Sequence, residues 1–112
     1  MSLARCPEIV WTIDEALEWI RSVQPAVMES GWCLMLGGGV LNQGVSGTDL
    51  DVIAYPRTRE SRVAAVVSVL GDGTWSQAPS MYPVARVYSF EVDDRAVEVI
   101  FQTWFPQFEE AL

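Results

Sequence analysis

One stretch restricts the fold more than any other. The apolar run Trp32-Cys33-Leu34-Met35-Leu36 stops at three consecutive glycines, Gly37, Gly38 and Gly39, and the chain resumes as Asp49-Leu50-Asp51-Val52-Ile53-Ala54. The run reads as a buried strand. Three glycines after it leave backbone N–H groups bare, free to take positive φ and to approach an anion closely. Asp49 and Asp51 alternate with Leu50 and Val52, so on a strand both carboxylates point to one face and the apolar pair to the other. Like charges side by side repel, and a cation between them removes the cost. A divalent metal is the natural cation.

At 112 residues, half of them apolar, the expectation is one domain, 1–112, that buries roughly two-thirds of its unfolded surface and folds unaided. No apolar run reaches the ~20 residues of a membrane span. The N-terminus shows no basic region followed by an apolar core and a cleavage site. The expected location is the cytoplasm, with no membrane partner. Cys6 and Cys33 lack metal-ligand spacing, which disfavours a disulfide framework or a zinc site and points to two reduced thiols, Cys33 in the core.

The net charge is −8, carried against seven arginines, with no lysine and no histidine. A basic face for tracking a nucleic-acid backbone is missing, so long nucleic acid is disfavoured as a partner. Without histidine, imidazole bases, histidine-dependent triads and histidine-held zinc are excluded. Carboxylates must do any acid-base or metal work.

Thr12-Ile13-Asp14-Glu15 has the spacing of a capping box, and Ile13, Ala16, Leu17 and Ile20 recur at helical spacing. A first helix is predicted from near residue 13, ended or kinked by Pro25 near 22–24, with a short continuation to Ser30 closed by Gly31. Trp32 to Gly37 is a predicted strand. The glycine loop then leads through a short segment at 40–43 to a second strand, about 50–55, stopped by Pro56. Thr58 is placed to cap a second helix through Leu70, with Val63, Val66, Val67 and Leu70 as its apolar stripe. Gly71-Asp72-Gly73 ends it in a turn. After a loop holding Pro79 and Pro83, 84–92 reads as a strand, Asp93-Asp94 as a tight turn and 95–101 as the returning strand of a hairpin.

This order predicts an α+β fold, a mixed β-sheet of about four to five strands covered on one face by two to three helices. In Ala96-Val97-Glu98-Val99-Ile100 a single carboxylate sits among apolar residues, so Glu98 points to one face of the returning strand. Beside Asp49 and Asp51 it would complete a three-carboxylate cluster.

Gly37-Gly38-Gly39-Val40-Leu41-Asn42, then Asp49-Leu50-Asp51-Val52, then Val97-Glu98-Val99 together resemble the nucleotidyltransferase superfamily of DNA polymerase beta, in the form of a small stand-alone domain. The resemblance spans about residues 37–100. It implies that Gly37, Gly38, Gly39, Asn42, Ser46 and Thr48 bind the nucleotide. With no lysine in the chain, charge makes Arg57 or Arg86 the expected group to neutralise its triphosphate. It implies that Asp49, Asp51 and Glu98 are the catalytic carboxylates and hold Mg2+ or Mn2+. The activity implied is transfer of a nucleoside monophosphate from a nucleoside triphosphate to a hydroxyl of a protein or small-molecule acceptor.

A second reading comes from size. Enzymes of this superfamily usually add a helical domain that holds the acceptor, and only about a dozen residues follow the last predicted strand. A catalytically silent binding module of the same fold, similar to the antitoxin half of a two-protein pair or an accessory protein of a mobile element, is the alternative. A stand-alone domain must find its acceptor-binding surface in a homodimer or a helical partner protein. For the aromatic tail at 104–108, and for Trp11, Trp19 and Ile20, packing into the core or a partner interface is favoured over base stacking.

Overall fold

Alternation of apolar and polar side chains decides which face each strand buries. The computed structural model describes residues 10–38, 44–47, 49–78 and 85–102, with Val45, Ser46, Gln77, Ala78 and Gln102 described by backbone alone. Cys6, Gly39, Asn42, Thr48, the 40–43 segment, the prolines Pro79 and Pro83 and the 104–108 tail lie outside the described residues.

The element order is β1 (Trp11–Thr12), α1 (Ile13–Glu29), β2 (Trp32–Leu36), β3 (Val45–Ser46), β4 (Asp49–Pro56), α2 (Val63–Leu70), β5 (Thr74–Ala78), β6 (Ala85–Val92) and β7 (Arg95–Gln102). Five strands form one mixed sheet in the order β2-β4-β7-β6-β5, and β1 pairs with β3 in a separate two-stranded ribbon. Only β4 and β7 run parallel; their neighbours in the large sheet are antiparallel. The fold is α+β, with both described helices packed against the five-stranded sheet.

Leu50, Val52 and Ala54 of β4 and Val97, Val99 and Phe101 of β7 are completely buried on the helix side. Trp32 and Leu34 of β2, Tyr88 and Phe90 of β6, Ala16, Ile20 and Val27 of α1, and Val63 and Val66 of α2 complete this core. Each large side chain buried here contributes about 1.5–3 kcal/mol. Trp32 meets Phe101 edge-on at 5.3 Å between ring centroids. Trp11, also fully buried, donates its indole N–H to the Ala96 carbonyl at 3.0 Å. Trp19 is partly buried and lies 5.9 Å from Phe90.

Helix α1 begins at the expected capping box. The Glu15 N–H donates to Thr12 Oγ1 at 3.2 Å, and the Thr12 N–H donates to Glu15 Oε1 at 3.1 Å. Gly31, at φ 96°, follows the Ser30 cap, a left-handed turn that glycine takes without penalty. Pro25 does not end the helix, which runs through it to Glu29. Pro25 and Arg21, the residue whose carbonyl loses its helical donor to the proline, are both exposed, so solvent can reach that carbonyl.

Helix α2 starts five residues later than Thr58. The Thr58 hydroxyl serves a turn instead, accepting from the Glu60 N–H at 3.2 Å, while Ser61 Oγ donates to the Gly31 carbonyl at 2.5 Å. Arg62 stands at the N-cap, and its side chain does not cap the helix. Its expected stripe holds, with Val63 and Val66 buried and Val67 and Leu70 packed against them. The hairpin turn at Asp93 and Asp94 has φ of 51° and 65°, the double left-handed geometry that matches strand twist in two-residue connections. Strand β5 occupies part of the predicted loop, and Trp75 is its single large apolar side chain. Cys33 points away from the helices and is half-buried, not part of the core.

The outer edge of β2 is occupied by a side chain. The Gln24 amide donates to the Leu34 carbonyl at 3.1 Å and accepts from the Leu34 N–H at 3.0 Å. It thereby fills the place of a further strand, one way of blunting a sheet edge. Gln24→Ala should cost about 1–3 kcal/mol, the penalty of leaving partly buried backbone groups unpaired. Urea denaturation should show a lower midpoint at unchanged slope; an unchanged midpoint would assign the edge no role in stability.

Candidate metal centre

Parallel pairing sets Asp49 beside Ala96 and Asp51 beside Glu98. Because Leu50, Val52, Val97 and Val99 go to the helix side, the three carboxylates share the other face. Their ligand oxygens lie within 4.8 Å of one another, so Asp49, Asp51 and Glu98 can together hold a metal ion.

Electrostatics show the strain of this grouping. Partial burial raises the Asp51 carboxyl above the ordinary aspartate value, and the nearby Asp49 raises it further. Glu98 is pushed up to about 6, first by burial, then by the charge of Asp49, by a side-chain hydrogen bond to Asp49, and by Asp51. A hydrogen bond between two carboxyl groups requires a proton on one of them. Below about 6 the cluster therefore tends to hold a proton, which a cation would replace. Oxygen-only donors of this charge suit magnesium or manganese, not a thiophilic metal.

The glycine turn packs directly on the cluster. Gly38, at φ 64°, approaches so closely that an added Cβ would lie 2.7 Å from Asp51 Cβ and 2.8 Å from Asp51 Cγ. Only glycine satisfies both the backbone angle and the contact. Gly37 donates its N–H to the Asp51 carbonyl at 2.9 Å. That bond extends the β2–β4 ladder, so the Gly37 N–H is committed to the sheet and not available to a phosphate.

Among the described residues the other expected nucleotide ligands, Ser46, Arg57 and Arg86, are dispersed. Ser46 sits in β3 opposite Trp11. Arg57 follows the far end of β4, where its guanidinium donates to the Met28 carbonyl at 3.1 Å. Arg86 faces the helix side of β6, its guanidinium carbon 5.8 Å from the Trp75 ring centroid. Neither arginine is brought to the carboxylates. A cavity of about 330 Å³ bounded by Glu15, Trp19, Asp93 and Arg95 also lies on the helix side, away from the cluster.

No protein-family model matches the chain, and no curated protein matches it. What the site does has to be read from its own atoms.

Sequence reading overlooks Ser89, which the hairpin register sets opposite Glu98 on the carboxylate face. The two-residue turn at Asp93-Asp94 is the signal that finds it, because counting back from such a turn fixes every cross-strand pair.

Glu98 binds its proton more tightly in the folded protein than at its ordinary value of 4.5. Between about 4.5 and about 6 the folded state therefore carries more protons than the unfolded one, and stability falls as pH rises through that window. Urea melts of metal-free protein should show this decline, with Glu98→Gln flattening it. A stability that rises with pH across the same window in both proteins would contradict the geometry.

Metal has the opposite effect. Millimolar magnesium or manganese should raise the melting temperature by mass action on the folded state, and Asp51→Asn should abolish that rise. The variant should be as stable as the parent or slightly more so without metal, since one repulsive charge is gone. A large loss of stability would instead give Asp51 a structural role.

Proposed function

We propose that the chain is a metal-dependent nucleotidyltransferase that moves a nucleoside monophosphate from a nucleoside triphosphate to a hydroxyl of a protein or small molecule. One observation carries this reading: three carboxylates from two parallel neighbouring strands converge within 4.8 Å, with the backbone of Gly38 pressed against one of them. A glycine turn, an Asp-x-Asp strand and a distant strand glutamate are the parts such a reaction needs, in the order the resemblance implies.

Asp49 and Asp51 hold the metal, and Glu98 completes its oxygen donors. Magnesium or manganese, once bound, offsets the phosphate charges and makes a coordinated hydroxyl more acidic. Glu98 also accepts the proton of the acceptor hydroxyl. The new bond joins that oxygen to the α-phosphorus while the bond to the bridging oxygen breaks and pyrophosphate leaves. Gly38 packs its backbone on Asp51, which fixes the position of that carboxylate. The net charge of −8 favours a protein or small-molecule acceptor over long nucleic acid, whose binding draws on a basic surface.

A second reading, a binding module of this fold that holds metal without transferring a nucleotide, is favoured by the positions of Arg57 and Arg86. Both are bonded or stacked elsewhere, which takes from the triphosphate the arginine expected to neutralise it.

Incubation with magnesium and labelled ATP, GTP, CTP and UTP in turn, alone and in lysate, separates the two. Label should move to a protein or small molecule, and Asp51→Asn should reduce transfer at least a hundredfold, the usual scale for losing a group that stabilises transition-state charge. Metal binding without transfer of any label would favour the module, and transfer to tRNA ends would overturn the acceptor preference.

A further inference from the structure

Three apolar residues are buried on the face that the helices leave open. Along β6 and β7, Tyr88, Phe90, Val97, Val99 and Phe101 belong to the helix-side core, so the alternating Ala85, Val87 and Ile100 point to the carboxylate face. The register agrees, setting Val87 opposite Ile100 and Ala85 opposite Gln102. Ala85 is completely buried, Val87 is 7% exposed and Ile100 9%. They form a cluster separate from the main core, and among the described residues no helix contributes to it.

Flanking strands alone do not account for this burial. Ile53 of β4 stands in the same row, between Met35 and Ile100, and like Ile100 it has a strand on each side. Yet Ile53 is half-buried and Met35 is 51% exposed. Glu98 and Ser89, one row further on, are half-buried as well. The cover is therefore confined to the corner of the face where β6 begins and β7 ends, and it comes from outside the described elements.

The chain leaves β7 at that corner, because Gln102 pairs with Ala85. The sequence that follows carries Trp104, Phe105 and Phe108, and aromatic side chains of this size bury about 150–250 Å² each. Ten residues reach roughly 33 Å when extended, several times the ~4.8 Å between strands, so the 103–112 segment is long enough to cross the patch. The 79–84 connector enters at the same corner, but Tyr82 is its one aromatic residue.

We infer that the 103–112 segment folds back over Ala85, Val87 and Ile100, where Trp104, Phe105 and Phe108 close a second apolar core on the carboxylate face. Ile100 stands two residues, about 7 Å, from Glu98 on that face, so this cover borders the row of metal ligands.

Urea denaturation of the full chain tests the contact through a double-mutant cycle. The Trp104→Ser/Phe105→Ser/Phe108→Ser variant should unfold at a lower midpoint and with a shallower slope, since the slope follows the surface exposed on unfolding. Ile100→Ala should lower the midpoint in the parent and much less in that variant, because residues in contact do not act additively. An unchanged midpoint in the triple variant, or shifts that simply add, overturns the inference. So does finding the same non-additivity for Met81→Ser/Tyr82→Ser in its place, which would assign the cover to the connector. Light scattering should show the parent and the triple variant in the same oligomeric state; a parent dimer that the substitutions dissociate would place the aromatic residues on a second copy and overturn the fold-back. Oxidative footprinting of the parent holds even where the triple variant does not fold. Trp104 and Phe105 should be oxidised severalfold more slowly in the native protein than in the same chain in urea, and equal rates overturn the inference.

Discussion

The parallel pairing of β4 with β7 is the constraint on which the rest of the molecule depends. On one side it aligns six completely buried apolar residues beneath the helices; on the other it brings Asp51 next to Glu98. The two faces are coupled by the pleat, because a slip of one residue would send carboxylates into the core and valines to the site. Burial of the apolar face therefore selects the very register that crowds the charges. The fold tolerates the repulsion because the hydrophobic term on the opposite face is larger and cannot be had in another register.

Much of this was legible in the sequence where a single local rule governs. The capping box at Thr12 and Glu15, the turn at Asp93-Asp94 and the stripe of α2 each follow from a few adjacent residues, and each is present in the structure. The Asp-x-Asp alternation and the lone carboxylate of Glu98 assign those side chains to faces, and the sheet order then brings them together. Failures came where tertiary context outweighs local preference. Pro25 is carried within α1 because the position is wet, and Thr58 turns to a local loop because Ser61 reaches Gly31. Strand β5 hides because an edge strand with only Trp75 to bury has little apolar signal. Arg57 and Arg86 were read from charge alone, which says nothing about which face of a strand a guanidinium takes.

The two flanks of the carboxylate cluster make an asymmetric site from a symmetric element. A sheet offers the same spacing in both directions from Glu98. Gly38 breaks that equivalence on one side by closing backbone onto Asp51, and the uncharged Ser89 opposite Glu98 breaks it on the other. Direction across the sheet, and not depth in a cleft, distinguishes one part of the site from another.

The long-range nature of the β4–β7 pair has a kinetic consequence. The β6–β7 hairpin closes over a two-residue turn, whereas Asp51 and Glu98 come from opposite halves of the chain and meet only after a long loop has been closed. Loop-closure entropy delays such contacts relative to local ones. The acidic group is thus assembled after its hairpin, and its mutual repulsion is met by a chain whose local structure has already formed. An ion that recognises only the completed group acts on an interaction made late. It should lengthen the lifetime of the native state by slowing its opening, and leave the rate at which the chain first folds nearly untouched.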